Sequence, residues 1–324
     1  MKRAEPAGRA IADRDVLLWC NAQAGGAPDP EDLAIRLRAC GRSVRLAEPG
    51  RDAPPDPLTE LVLVAGGDGT VAQAARRLGH SGVPLAILPS GTANNVAAAL
   101  GIADTDKPEQ AVSGRAHAID LGRVQGPWGE RIFVESVGVG LLALTERSLH
   151  ETAERQGGYE AAGKIVAGRR AIETALARPE AFDGSVRSDG DVPLERSLVF
   201  VEICNLGRTG PGVLLAPEAD ASDGAFDVVL GDLAAAEALR HACEIGGSPV
   251  RLVPDLPVRR CRRIELTCRL GDLRIDGKFG TEIADADPCD DRHHDVTVET
   301  LPGALWVITP NALRPGDGDD AERS

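Results

Sequence analysis

The stretch of sequence best suited to chemistry is the loop GGDGT at residues 66–70, which follows the apolar run 61–65 and precedes the helical pattern VAQAARRL. Glycines let a backbone turn tightly and bring its amide N–H groups close to an anion. The start of a helix adds a favourable potential for negative charge. The pattern predicts a loop that holds phosphate; the alternative is a plain strand–helix turn that Asp68 or Thr70 caps.

Asp68 stands out within this loop because a carboxylate repels the phosphate that the glycines would hold. Its presence is reasonable if a cation bridges the carboxylate and the phosphate, or if Asp68 handles the proton of a substrate. Asp68 is therefore a candidate catalytic residue as well as a candidate binding residue.

Two further turns repeat the pattern. PSGTANN at 89–95 ends the next apolar run, and NAQAGG at 21–26 follows the first one. Since open α/β sheets bind ligands at the carboxyl ends of their strands, the three turns would line one crevice. They predict a polyphosphate site, most simply for a nucleotide. The sequence contains no Walker A or GxGxxG motif, which disfavours P-loop and Rossmann dinucleotide enzymes.

The first third of the chain has the alternation of elements that would position these turns. Four short strand-like runs occur at 16–20, 43–46, 61–65 and 84–89; helical patterns separate them, except for a Pro-rich connection between the second and the third. Strand, loop and helix in repetition predict a doubly wound α/β domain through about residue 118.

The pattern changes after Asp120. Short or alternating strand-like runs now lie between turns, which predicts an antiparallel sheet or sandwich. One helical interruption spans roughly 141–177, and the closing segment LPGALWVITP is again apolar. The apolar side chains of 141–177 form either the lip of an acyl cleft or a core-packing helix with a broken middle.

Composition limits the classes of partner. The 324 residues carry a net charge of −14 and only 3% aromatics, which argues against a nucleic-acid binder and against broad electrostatic attachment to anionic membranes. A local basic patch stays open. No segment has signal-peptide or membrane-span character, and the seven cysteines form no CxxC pair, so we expect reduced thiols and a cytoplasmic location.

Taken together, these motifs resemble the diacylglycerol kinase catalytic domain superfamily, which includes bacterial diacylglycerol kinases, YegS-like lipid kinases and sphingosine kinases. The resemblance covers nearly the whole chain. It implies ATP and Mg²⁺ as cofactors, an α/β nucleotide-binding domain at 1–118 that a returning segment at 301–324 completes, and a β-sandwich-like lipid-binding domain at 119–300. It also implies a nucleotide cleft between the two domains.

Residue by residue, the resemblance implies nucleotide binding by three turns. The matching residues are Asn21, Gly66, Gly67, Asp68, Gly69, Thr70, Ser90, Gly91, Thr92 and Asn94. The sequence departs from the family pattern at Ala22, where the family has Pro, at Asn95, where it has Asp, and at Ala98, where it has Arg. The change at 22 is mild, and we interpret the changes at 95 and 98 as affecting the substrate more than the fold.

The stretch from 207 to 228 also resembles a family segment. There the resemblance implies a structural magnesium bound by Asp223 with the backbone carbonyls of Asp220 and Ala225. Oxygen ligands are chemically suitable for such a hard cation. The alternative is an Asp-Gly hairpin turn, which the same residues support.

The main departure from the family lies at Asp276-Gly277-Lys278, where the family has D-G-E and the Glu is the proposed general base. Lys278 is protonated unless strongly desolvated, so it is a poor base. It could hold a phosphate oxygen instead, leaving Asp276 to coordinate metal or act as base. Glu282 is a further substitute if the loop folds back. The catalytic candidates are thus Asp68, Asp276 and Lys278.

The sequence as a whole predicts an ATP-dependent kinase that phosphorylates a hydroxyl of diacylglycerol or a related lipid, as in phospholipid biosynthesis. Such an enzyme would touch a membrane only transiently and peripherally, would not bind nucleic acid, and has a homodimer as an open possibility. Two alternatives remain. Lys278 favours a catalytically impaired regulator that binds nucleotide or lipid, and the GGDGT loop alone is compatible with a soluble-substrate kinase.

Overall fold

The computed structural model describes residues 9–10, 15–20, 28–47, 59–103, 105–156, 161–182, 184–192, 194, 197–210, 212–245, 256–287 and 290–310. The chain divides into two compact units. Unit 1 comprises Met1–Leu121 with Pro302–Ser324, and unit 2 comprises Gly122–Leu301.

The elements are as follows in chain order. The first part of the chain contains β1 (Arg9–Ala10), β2 (Val16–Cys20), α1 (Pro30–Ala39), β3 (Val44–Ala47), β4 (Leu61–Gly66), α2 (Asp68–Leu78), β5 (Leu85–Pro89), α3 (Asn95–Ala99), α4 (Pro108–Ala111) and β6 (Arg115–Gly126). The remainder contains β7 (Gly129–Phe133), β8 (Ser136–Gly140), α5 (Leu141–Gln156), α6 (Ala161–Leu176), β9 (Ser185–Ser188), β10 (Phe200–Cys204), β11 (Arg208–Thr209), β12 (Val213–Leu214), β13 (Phe226–Gly231), α7 (Leu233–Ile245), β14 (Val258–Cys261), β15 (Arg263–Arg269), a 3-10 turn (Leu270–Asp272), β16 (Leu273–Ile275), β17 (Lys278–Phe279), α8 (Gly280–Ala284) and β18 (His293–Thr309).

Unit 1 is built on a sheet with the strand order β1-β6-β18-β5-β4-β2-β3, to which β6 and β18 contribute those of their residues that belong to this unit. Strands β5, β4, β2 and β3 are parallel. Every residue of β2, β4 and β5 is buried. Parallel strands are continuously apolar when helices cover both faces of the sheet, which explains the unbroken runs in the sequence.

The faces of this sheet are covered by short helices. Helix α1 packs Leu33 and Leu37 into one core with alternate residues of β2 and β4. Helix α2 buries Val71 and Leu78 and contacts β4 and β5. The doubly wound arrangement places the turns after β4 and β5 at one edge of the sheet.

Unit 2 is a sandwich. One layer is an antiparallel sheet of order β14-β13-β10-β8-β16-β17, and the other contains the antiparallel set β9-β15-β18 and the β6–β7 hairpin. Side chains of both layers, such as Phe226 and Ile203 from the first and Ile264 and Val298 from the second, form one core. The α/β and sandwich-like fold classes predicted from the sequence are both confirmed.

Helices cover the outer face of the six-stranded sheet. Leu142 of α5, Ile172 of α6 and Leu239 of α7 pack there against Phe200 and Val229. The helical interruption expected near 141–177 corresponds to α5 and α6, whereas the sequence pattern did not predict α7. None of the described helices combines the length and the apolar character that crossing a membrane requires.

Candidate functional site

The two glycine loops of unit 1 lie against each other. Strands β4 and β5 end in register, with Gly66 opposite Pro89, and the Ser90 amide donates to the Gly66 carbonyl at 3.1 Å. A Cβ atom on Gly91 would lie 2.5 Å from the Cα of Gly67, closer than real Cβ contacts allow. The backbones therefore touch at a point where neither residue has room for a side chain.

Asp68 connects the loops through a hydrogen bond. Its carboxylate accepts from the Val96 amide at 2.9 Å, at the start of α3, so the GGDGT aspartate caps the helix that follows the second loop. Burial raises the pKa of the Asp68 carboxyl. Hydrogen bonds from backbone amides, chiefly those of Val96 and Asn95, offset part of this rise. The side chain is thus fixed at the first turn of α2 and the first turn of α3.

Asn94 fixes the shape of the second loop. Its backbone is left-handed, with φ of 50°, a conformation that Asn tolerates better than most residues. Its side-chain oxygen accepts from the Gly91 amide at 2.9 Å and its side-chain amide donates to the Gly91 carbonyl at 3.1 Å. Asn94 therefore acts from within the loop and holds Gly91 against Gly67.

The residues at these loops suit an anion whose oxygen atoms accept hydrogen bonds. The Ser90 hydroxyl is buried, and it finds no hydrogen-bond partner among the residues that the structure describes. A Cβ on Gly66 would meet the buried Thr70 side chain at 2.7 Å, so Thr70 packs directly against the Gly66 backbone and leaves no room for a side chain there. Helix α2 begins at the same point, with Gly67 as its N-cap.

Nine of the ten predicted nucleotide-binding residues thus lie in two touching loops, at 66–70 and 90–94. Gly69 is exposed and Thr92 is half-buried. Asn21, from the third predicted turn, lies outside the described residues. The assignment of these residues to a nucleotide stays a prediction.

In unit 2, Asp276 is enclosed. It is 5% exposed and has a left-handed backbone, with φ of 49°. Its carboxylate accepts from the Glu135 amide at 2.8 Å and from the Val134 amide at 3.2 Å. These bonds hold the Asp276–Gly277 turn in place. Whether Asp276 also serves as a catalytic base stays a prediction.

Lys278 lies at the surface of unit 2. Its side chain is 58% exposed, and its ammonium is 3.8 Å from the Glu282 carboxylate, one turn along the chain. Glu282 also accepts from the Phe279 amide at 3.3 Å. The loop does bring Glu282 beside Lys278, as the sequence reasoning considered. An exposed pair of this kind contributes little to stability, so Lys278 is available to a ligand.

A buried arginine that sequence reasoning missed supports the Asp276 turn. Arg274 is 1% exposed, and its guanidinium donates to the Asp276 carbonyl at 2.7 Å while pairing with Glu202 and, at 3.0 Å, with Glu146 of α5. Burial alone would lower the pKa of this guanidinium, but Glu202 first and Glu146 next raise it above its ordinary range. The sequence offered only one signal, a charge inside the alternating run DLRID.

The helical segment 141–177 packs into the core, and its role as the lip of an acyl cleft stays a prediction. Leu141, Leu142 and Ile172 are buried in the core of unit 2, whereas Leu144 and Val166 are 43% and 49% exposed. The segment is therefore core-packing on one face and leaves apolar side chains at the surface on the other.

The residues predicted to bind a structural magnesium have another partner. The Asp223 carboxylate accepts from the Ala225 amide at 3.0 Å and pairs with the Arg260 guanidinium. Asp220 directs its carboxylate to Ser222. No cluster of three or more His, Cys, Asp or Glu suited to a metal occurs in the part of the chain that the structure describes. A guanidinium on the carboxylate does not fit a metal there, and we derive no step through one.

Comparison with known proteins adds an independent observation. Residues 32–124 match the diacylglycerol kinase catalytic domain, and residues 161–309 match the YegS C-terminal NAD kinase beta sandwich-like domain. A diacylglycerol kinase of Mycobacterium tuberculosis is 27% identical over 259 residues, which are 78% of this chain and 77% of that protein.

Two other proteins illustrate the range of the similarity. A protein of Stenotrophomonas maltophilia named "Probable lipid kinase YegS-like" is 32% identical over 185 residues, 53% of this chain and 56% of its own length. The crystal structure of a diacylglycerol kinase from Bacillus anthracis str. Sterne superposes with a TM-score of 0.63 at 19% identity, covering 92% of this chain and 98% of that one. This last likeness concerns the fold alone.

Proposed function

The chain belongs to the diacylglycerol kinase catalytic domain superfamily, and from this premise we propose that it is an ATP-dependent kinase that phosphorylates a hydroxyl of diacylglycerol or a related lipid. The observation that carries the proposal is the contact of the two glycine loops at the ends of β4 and β5. It gathers backbone amides, a helix N-terminus and the Ser90 hydroxyl at one edge of a parallel sheet, which suits the phosphates of a nucleotide.

In this proposal unit 1 holds the nucleotide. Loop amides other than those of Thr70, Ser90 and Gly91, which already bond within the loops, donate to phosphate oxygens, and the N-terminus of α2 favours the phosphate charge. Mg²⁺, when bound with ATP, would neutralise charge that develops on the transferred phosphoryl group. Magnesium in kinases is held largely by substrate phosphates with one or two carboxylates, and Asp68 is the carboxylate at these loops.

Unit 2 supplies the lipid side of the proposed reaction. The lipid hydroxyl attacks the γ-phosphorus, the bond from that phosphorus to the bridging oxygen breaks, and the hydroxyl proton passes to a carboxylate. We assign that proton to Asp68 or Asp276. Lys278, as an ammonium, has only donors and would hold a phosphate oxygen. The relatives named as lipid kinases favour a lipid acceptor over a soluble one.

A second candidate function is a nucleotide- or lipid-binding regulator without turnover. The observation that favours it is Lys278, which stands at the surface where the family resemblance expects a glutamate. Lys278→Glu separates the two. A gain of activity from nothing supports the regulator, whereas ready turnover by the unmodified protein rejects it.

We further propose that the protein meets a bilayer only peripherally and works in the cytoplasm. Its global charge of −14 disfavours general attachment to anionic lipid. A homodimer stays an untested expectation.

The direct test incubates the protein with ATP–Mg²⁺ and a total lipid extract and identifies any phosphorylated species by mass. An Asp68→Asn variant, matched in size, serves as the inactive control. We expect one lipid class to gain a phosphate in the first sample alone. Failure of folded protein on diacylglycerol, sphingosine, phosphatidylglycerol and monoacylglycerol would reject the lipid kinase.

A further inference from the structure

Unit 2 carries an open groove of about 670 Å³ that the proposed reaction does not use. Its walls are one face of α5, one face of α6, and the chain from Arg178 to Phe182. Residues 141, 144, 145 and 148 of α5 and residues 170, 171, 174 and 175 of α6 line it. These spacings of three and four place each set on one face of its helix.

More positive than negative side chains line this groove, although the chain as a whole carries more negative charge. The whole chain has 36 Lys and Arg against 50 Asp and Glu, yet three arginines line the groove, Arg170, Arg178 and Arg269, against two carboxylates, Glu180 and Asp272. Negative ligands are therefore attracted here more than to the protein as a whole.

Two of the arginines are exposed and accessible to a ligand. Arg170 lies on α6, and Arg178 extends the same face, because its amide donates to the Ala175 carbonyl at 3.3 Å and continues the helical turn. Neither side chain enters an ion pair with another residue of the described ranges. The Thr174 side chain lies between them, with its hydroxyl directed to the Arg170 carbonyl at 2.8 Å.

Apolar surface lies beside these charges. Leu144 is 43% exposed in the groove, and Ala171, Ala175 and Phe182 extend the apolar lining. Guanidinium groups next to apolar surface match an amphiphile, because the planar fork binds phosphate while the alkyl part of the ligand leaves water. The volume lies within the range of ordinary ligand sites.

We propose that this groove binds the phosphate headgroup of an anionic phospholipid in a bilayer, with Arg170 and Arg178 on the phosphate and Leu144 against the first acyl carbons. The choice of a bilayer lipid rests on the proposed function, since a lipid kinase must reach a membrane. The groove then supplies a local basic contact on a chain that is acidic as a whole, and it orients unit 2 on the surface.

The test is sedimentation of the full chain with phosphatidylcholine vesicles, with and without added phosphatidylglycerol. We expect binding only to the anionic vesicles, and we expect salt to weaken it. The double variant Arg170→Ala/Arg178→Ala should bind about 25-fold more weakly, because each basic side chain near an anionic surface contributes ~1 kcal/mol, about fivefold. Arg259→Ala/Arg262→Ala makes the same charge change at exposed sites outside the groove and should bind as the original chain does.

A second pair of variants tests the apolar contact. Leu144→Ser should weaken vesicle binding, whereas Leu233→Ser, which changes a similarly exposed leucine outside the groove, should not. Soluble glycerol phosphate should compete poorly. Equal losses in the two arginine double variants, or tight binding of glycerol phosphate without vesicle binding, overturn the proposal.

This result is independent of the kinase assay. Anionic vesicle binding through the groove, with no phosphorylated lipid, would reject the proposed function and keep the groove. Lipid phosphorylation with no preference for anionic vesicles would reject the groove and keep the kinase.

Discussion

Gly67 and Gly91 touch through their backbones, since a Cβ on Gly67 would lie 3.0 Å from the Gly91 Cα and a Cβ on Gly91 only 2.5 Å from the Gly67 Cα. The two glycines belong to loops that follow adjacent parallel strands. Their contact sets the distance between the loops without any side chain. The geometry of the candidate phosphate site therefore depends on the smallest residue at both positions.

Gly91→Ala should separate the loops. The added methyl group overlaps the Gly67 backbone, and overpacking of this kind costs about 1–3 kcal/mol. We expect a lower thermal unfolding temperature and loss of the stabilisation that ATP gives. Gly69→Ala is the matched control for stability, because nothing lies within 4 Å of its Cβ and alanine favours helix α2. An unchanged unfolding temperature for Gly91→Ala would contradict the contact.

Asp68 should have separable structural and chemical roles. Asp68→Asn keeps an oxygen that accepts from the Val96 amide, so it should unfold near the temperature of the original protein and yet lose phosphoryl transfer. Asp68→Ala removes the cap of α3 as well and should cost about 1 kcal/mol in addition. The checks are thermal unfolding and the lipid phosphorylation assay. Full activity in Asp68→Asn would exclude the carboxylate from catalysis.

The pair Asp223–Arg260 leads to a prediction about magnesium. Asp223 already has a cation beside it, so EDTA or Mg²⁺ without nucleotide should leave the unfolding temperature unchanged. Arg260→Ala removes that cation and leaves the Asp223 carboxylate without a positive partner. The unfolding temperature of this variant should therefore fall in EDTA and recover when Mg²⁺ is added.

Arg259→Ala is the control for this experiment, because adjacent residues of a strand point to opposite faces. The prediction is wrong if Mg²⁺ stabilises the original protein and Asp223→Asn removes this stabilisation. Asp223 would then bind a metal ion in spite of its pairing with Arg260.

The sequence predicted the fold classes and the loops because their signals are local. Apolar runs next to glycines identify the ends of β4 and β5, and alternation identifies the sandwich. The partners of charged side chains were not predictable in the same way. Arg274 meets Glu202 across 72 positions of the chain, and Arg260 meets Asp223 only because β14 pairs with β13. Such pairings depend on tertiary register, which no spacing in the sequence shows.

Asp227 should make the stability of the protein depend on pH. It is 5% exposed on β13, and burial, followed by the charges of Asp220 and Glu218, raises the pKa of its carboxyl from 3.8 to about 6. The folded state thus holds its proton at a pH where the unfolded state has lost it. The stability that Asp227 contributes should be fully present below pH 3.8 and be lost as pH rises to about 6.

Asp227→Asn removes the titrating group, so the loss of stability with rising pH should disappear. The variant should exceed the original protein in stability most clearly above pH ~6. Glu218→Gln keeps Asp227 and removes one neighbouring charge, so it should lower the pKa of Asp227 and move the loss to lower pH. Asp291→Asn, at an exposed carboxylate of the same unit, is the control and should leave the profile unchanged. Denaturant unfolding at a series of pH values measures all three, and a loss that persists in Asp227→Asn would assign the dependence to another group.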